Sequence, residues 1–213
     1  MTSIILIRHG ETAWNAERRL QGHTDIALNA EGERQAEALA DALAGEAIDH
    51  IVSSDLQRAR QTAQALAERH GLAVRTDPAL RERCYGAFEG LRYADIEQHY
   101  PQEFAAWQGR DIDAVMPPGT RVAESFRRFH ARSVDAILSW AAAHTGATLA
   151  LVAHGGVLEC AYRAALGMAL DTPRHFAVKN ASINRFSVVD GKLVLTSWGE
   201  VAHLEARALD ELA

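Results

Sequence analysis

Along the chain, short continuous apolar runs alternate with longer stretches in which apolar residues recur every three or four positions. The first run, Ser3-Ile4-Ile5-Leu6-Ile7, reads as a buried strand and stops abruptly at Arg8-His9-Gly10. Asn29 predicts the N-cap of a helix to about Leu43, with Glu31 and Glu33 in its first turn and Ala36, Leu39, Ala40 and Leu43 on one face. His50–Val52 reads as a second strand, after which Ser53-Ser54-Asp55 caps a helix through about Arg69. Arg58 falls in the first turn of that helix, where backbone N–H groups favour an anion. Leu72–Val74 is a third, weaker strand.

From Arg83 to Thr120 the period breaks down among Gly86, Gly90, Pro101, Gly109, Pro117, Pro118 and Gly119. This stretch reads as a cap inserted over the sheet edge, with short helices around Asp95–Tyr100 and Gln102–Trp107. Tyr85, Phe88, Tyr93, Phe104 and Trp107 are expected to pack that cap, a minority of them lining a pocket. A long helix is expected over Val122–His144, with Gly146 as its stop. Thr148–Ala153 is a continuous apolar strand running into His154-Gly155-Gly156, followed by a helix over Val157–Leu166 that ends at Gly167. Ile183–Val189 and Leu193–Trp198 are strands joined through Asp190-Gly191, a hairpin signal. A short, partly apolar tail follows. The pattern predicts an α/β three-layer sandwich: a mostly parallel open sheet, helices on both faces and an antiparallel edge.

Composition narrows the function classes. The chain has 213 residues, 48% hydrophobic and 23% charged, enough for one domain (1–213) carrying the cap at about 83–120. A net charge of -6 speaks against a general nucleic-acid or anionic-membrane binder. No stretch is long enough to span a bilayer and no signal pattern opens the chain, so a cytoplasmic protein is expected. Cys84 and Cys160 have no metal spacing and read as reduced, ordinary small residues. The histidines show no paired helical spacing, so neither a metal nor another cofactor is expected. A homodimer through an edge strand stays open.

The candidate chemistry sits at two strand ends, His9 and His154, each followed by glycine. Ligands of open α/β sheets bind at the carboxyl ends of strands. Leu6 to Asn15 resembles the signature of the histidine phosphatase superfamily, which includes the cofactor-dependent phosphoglycerate mutases: an aliphatic residue, any residue, Arg-His-Gly, Glu or Gln, three residues, Asn. The resemblance runs from about Ile4 to Val189 and is weakest in the cap. It implies a phosphoryl-transfer enzyme in which His9 is phosphorylated, Arg8, Arg58 and His154 bind the phosphate, and Asn15, Gln21, Gly22 and Gly155 contact phosphate or substrate. Glu82, between Arg81 and Arg83, reads alone as a surface ion pair. By its place in a Glu-Arg-His-Tyr-Gly segment of the mutases it is the general acid–base, with Cys84 standing where they have histidine.

Two enzyme readings follow, with a catalytically idle interaction protein as a third. Ala87-Phe88-Glu89-Gly90 and His154-Gly155-Gly156 resemble the phosphatase members. The cap's permanent cations, Arg83, Arg92 and Arg110, are not adjacent to one another and are outnumbered by acids. The expectation is therefore a metal-independent phosphatase of small phosphorylated metabolites. The alternative is a mutase primed by 2,3-bisphosphoglycerate.

Overall fold

In the computed structural model, residues 1–204 are described, and the apolar tail beyond them lies outside the described residues. Six strands form one open sheet in the order β3-β2-β4-β1-β5-β6. These are β1 (Thr2–Arg8), β2 (His50–Ser53), β3 (Val74–Thr76), β4 (Thr148–Ala153), β5 (Ile183–Val189) and β6 (Lys192–Glu200). The first four in the spatial order are parallel, and β5 and β6 add the antiparallel edge. Helices α2 (Ala30–Leu43) and α3 (Gln57–His70) cover one face. The other face carries α6 (Phe126–Ala143) and α7 (Gly155–Leu166).

The alternation along β1 explains the layers. Ile5 and Ile7 pack with Leu39, Leu43, Ala63 and Leu66, whereas Ile4 and Leu6 pack with Phe129, Ile137, Val157 and Leu158. A strand buried on both faces is apolar at every position, which is why β1 and β4 read as unbroken runs. Thr12 and Asn15 form a reciprocal capping box on α1 (Ala13–Ala16), a helix too short to show a period. In the 83–120 segment lie α4 (Tyr93–His99) and α5 (Pro101–Gln108). Their core holds Leu20, Phe88, Ile96, Met116 and Ala123, with the Trp107 ring against Tyr85, Phe88, Tyr93 and Phe104.

Several boundaries differ from the sequence reading. Ser53-Ser54-Asp55 does not cap α3: the helix starts at Gln57 behind Leu56, which supplies no side-chain cap. Ser54 and Asp55 bond elsewhere, to His154 and Arg81. The third strand lies two residues later than expected, at a sheet edge where only one residue is even half-buried. The long helix begins at Phe126, capped by the Ser125 hydroxyl, and leaves Val122 outside it and 78% exposed. It ends at Ala143, before Gly146. The final helix starts two residues earlier, at Gly155. The hairpin follows the reading: Asp190 and Gly191 both have left-handed backbones, with φ 49° and 72°.

One close approach fixes the end of β1 against α2. A Cβ on Gly32 would stand 2.0 Å from the Glu11 carbonyl oxygen, and one on Gly10 would stand 2.5 Å from that of Gly32. Both obstacles are backbone. Gly32→Ala should therefore lower stability by about 1–3 kcal/mol, the range for overpacking a filled site. Urea unfolding should show a reduced midpoint at unchanged m-value.

Candidate active site

The parallel pairing of β1 with β4 places Arg8 opposite Ala153, and the His9 amide donates to the Ala153 carbonyl at 3.0 Å. His9 and His154, the residues just past the two strands, meet with ring centroids 5.1 Å apart. The His9 carbonyl accepts from the Asn180 side chain (3.0 Å) and from the Ala181 amide (3.2 Å), and the Gly10 amide donates to Thr62 Oγ1 (3.0 Å). The backbone carrying His9 is thus held from β4, from the segment before β5 and from α3.

The ring nitrogens have distinct roles. His9 Nδ1 lies 2.6 Å from the Gly10 carbonyl, which can only accept, so Nδ1 carries the proton and Nε2 the lone pair. His154 Nε2 lies 2.8 Å from Ser54 Oγ. That hydroxyl also accepts from the Leu56 amide at 3.4 Å and has no other acceptor for its own proton among the described residues, so the proton is assigned to the His154 bond. The His154 proton then sits on Nδ1, which is buried and has no partner among the described residues.

Arg8 and Arg58 are almost fully buried. Arg8 Nη1 donates to the Val178 carbonyl (2.6 Å). Arg58 reaches across from α3 to the carbonyls of Thr24 (2.9 Å) and Gly22 (2.8 Å), while its Nε is buried with no acceptor among the described residues. Desolvation holds Arg58 down at about 10. His9 lies well below the usual histidine range, first because it is buried and then because Arg58 and Arg8 repel a proton there. His154 is depressed by burial, then by Arg58 and His9. Both rings are neutral at neutral pH, with burial the larger cause.

Glu82 does not lie at the surface. It is buried, and Arg81 is engaged with Asp55 at 2.7 and 2.6 Å. Glu82 Oε1 accepts from the Arg83 amide (2.8 Å) and Oε2 from the Gly156 amide (3.0 Å). A Cβ at Gly156 would stand 2.2 Å from Oε1, so this glycine makes room for the carboxylate. Arg132 braces the loop, donating to the carbonyls of Ala79 (2.8 Å), Arg81 (3.1 Å) and Glu82 (3.3 Å). Its remaining bonds are a bidentate pair with Glu124 at 2.9 and 2.7 Å.

Arg8, His9, Asn15, Gln21, Gly22, Arg58 and Glu82 line one cleft. His154 stands behind His9, outside the lining residues. Gly155 lines neither this cleft nor its neighbour, while Gly156 lines the neighbour. Asn15 Oδ1 is spent on the Thr12 amide, and Gln21 Oε1 accepts from the Thr12 hydroxyl (3.0 Å). The adjoining cavity shares Leu20, Tyr85 and Tyr93 with the cleft and is walled by Trp107, Phe126 and Phe129. There the fold joins what the sequence separates: Arg83 and Arg110 lie 5.9 and 5.5 Å from the Phe126 ring. Sequence reasoning missed Ser54, Thr62, Arg132 and Asn180, which act through long-range bonds. Among the described residues, no group of three or more His, Cys, Asp or Glu is arranged to hold a metal ion, and no helix is long and apolar enough to cross a membrane.

The profile of the histidine phosphatase superfamily (branch 1) matches residues 4–201. The chain belongs to that superfamily. It is 39% identical over 205 residues to phosphoglycerate mutase-like protein 4 of Arabidopsis thaliana, covering 95% of this chain and 86% of the relative. Among solved structures it resembles phosphoserine phosphatase from Entamoeba histolytica bound to phosphoserine, with TM-score 0.84 and 28% identity over 96% of this chain and 100% of that one. It also resembles a mycobacterial glucosyl-3-phosphoglycerate phosphatase, with TM-score 0.81 and 32% identity over 93% and 99%. Superfamily membership accounts for the paired strand-end histidines without deciding between the phosphatase and mutase names among the relatives.

The depressed histidines make stability depend on pH. Unfolded histidine takes up a proton near 6.5, whereas native His9 and His154 do so only well below it. Their contribution is complete above 6.5 and is lost as pH falls from there toward the native values, at up to about 1.4 kcal/mol per pH unit for each ring. Urea midpoints between pH 7.5 and 5.5 should fall accordingly, and His9→Asn should flatten the slope.

Proposed function

We propose that this protein is a metal-independent phosphatase of small phosphomonoesters that works through a phosphohistidine on His9. The observation that carries the reading is the neutral His9 ring, with Nδ1 tied to the Gly10 carbonyl, in one cleft with Arg8, Arg58 and Glu82. A phosphomonoester is a dianion, and the planar donors of Arg8 and Arg58 suit its oxygens. The Nδ1–H of His154 adds a neutral donor as charge develops. The Nε2 lone pair of His9 attacks phosphorus while the ester P–O bond breaks, and Glu82 gives its proton to the leaving alkoxide. Glu82, now a carboxylate, takes a proton from water. The water oxygen attacks phosphorus, the P–N bond breaks, and phosphate leaves with His9 restored.

The mutase reading has its own observation: Arg83 and Arg110 gather at the adjoining cavity. Their commitments favour hydrolysis. Arg83 donates to the carbonyls of Glu124 and Ala114, and Arg110 is paired with Glu159. Cations already engaged within the protein are less available to hold and reorient a phosphorylated acid. The two phosphatases among the similar structures support the same reading.

Alkaline quenching during turnover, followed by digestion and mass spectrometry, should find phosphate on His9, and His9→Ala should abolish both the adduct and turnover. Phosphate on another residue would refute the mechanism. Glu82→Gln should slow alkyl phosphates by about 10²–10⁴-fold and aryl phosphates far less, since aryloxide leaves without a proton. For the choice between classes, phosphate release from a phosphomonoester panel should exceed 3-phosphoglycerate interconversion primed with 2,3-bisphosphoglycerate. The reverse result would assign the mutase.

A further inference from the structure

At the mouth of the cleft, one arginine occupies a backbone position that favours glycine. Helix α1 ends in a paired closure: the Arg19 amide donates to the Trp14 carbonyl (2.9 Å) and the Arg18 amide to that of Asn15 (3.1 Å). This is the bonding of a Schellman motif, whose left-handed position is most often glycine because a Cβ is strained there. Here that position is Arg18, at φ 56°. Its side chain is exposed and lines the cleft with Arg8, His9 and Arg58. Among the described residues it makes no side-chain hydrogen bond or ion pair, and the nearby Glu17 is taken by Arg19 at 2.6 Å. The other left-handed arginine, Arg110, lines the adjoining cavity but is already paired with Glu159.

A residue that breaks a local rule without a compensating contact marks a position kept for function. We infer that Arg18 is a binding residue that captures the phosphate dianion at the cleft mouth and passes it to the buried Arg8 and Arg58. The inference rests on reading the cleft as a phosphate site. Arg8 and Arg58 are buried and bonded to carbonyls, so they hold an anion that has arrived. An exposed, uncompensated guanidinium attracts one from solution in a chain whose net charge of -6 otherwise repels it.

The test uses Arg18→Gly and Arg18→Asn, which suit the backbone and remove the charge, beside Arg18→Lys, which keeps it. Binding of inorganic phosphate is measured by calorimetry, and 4-nitrophenyl phosphate turnover is followed from low to high salt. The neutral variants should melt at or above the temperature of the natural protein. They should bind phosphate about 3–10-fold more weakly and lose kcat/KM by the same factor, with kcat within twofold and a flatter salt dependence. Arg18→Lys should stay within twofold on every measure. Neutral variants that bind phosphate as tightly as the natural protein, with an unchanged salt slope, would overturn the inference alone. So would an Arg18→Lys variant as impaired as Arg18→Gly, because the effect would then lie in shape and not in charge. A natural protein that binds no phosphate would overturn the reading of the cleft and this inference with it.

Discussion

Everything at the site depends on the parallel pairing of β1 with β4. The pairing is in register to the last residue, and the ladder continues one step further through the His9 amide to the Ala153 carbonyl. Because the strands end level, the next residue of each, His9 and His154, faces the other. A slip of one residue would turn the apolar faces of β1 into the wrong layers, exchanging Ile4 and Leu6 for Ile5 and Ile7. The same hydrophobic sorting that specifies the three layers therefore also sets the separation of the two rings.

Charge is the second constraint. Two guanidiniums are buried beside two imidazoles and donate to backbone carbonyls: Arg8 to Val178, and Arg58 to Thr24 and Gly22. Carbonyl dipoles accept from three of these donors while leaving the positive charge largely in place. That charge, added to burial, keeps both rings neutral, the form a nucleophile needs. Glu82 has both oxygens held by backbone amides.

What could be read from the chain alone was what local pattern controls. The two buried strands, the Asn29 cap and the Asp190-Gly191 turn follow from residue type and period within a few positions. The strand-end histidines were visible because each interrupts an apolar run. The misplaced boundaries share another cause. Ser54 and Asp55 look like cap residues, but their side chains are claimed by His154 and Arg81, 100 and 26 residues away. Val122 fits a helical period yet lies outside the helix that Ser125 caps. Asn180, which holds the His9 carbonyl, comes from a segment with no period, 171 residues along the chain. Arg83 and Arg110 meet at Phe126 only through the fold of the segment between them. Local chemistry proposes, and distant partners decide which of two compatible uses a side chain receives.

The position of β1 in the sheet has a consequence for biosynthesis. The first of the six strands to be synthesised is central, and both its neighbours, β4 and β5, come later in the chain. Its Arg8 bonds Val178, and its Leu6 carbonyl accepts from Asn184. Until β4 and then β5 have emerged, this apolar strand must wait with open edges, a ready template for pairing with other chains. Closing so long a loop is also slow. The order of synthesis thus runs opposite to the order of the sheet, and the cleft can be assembled only after the segment carrying Val178 and Asn180 is present.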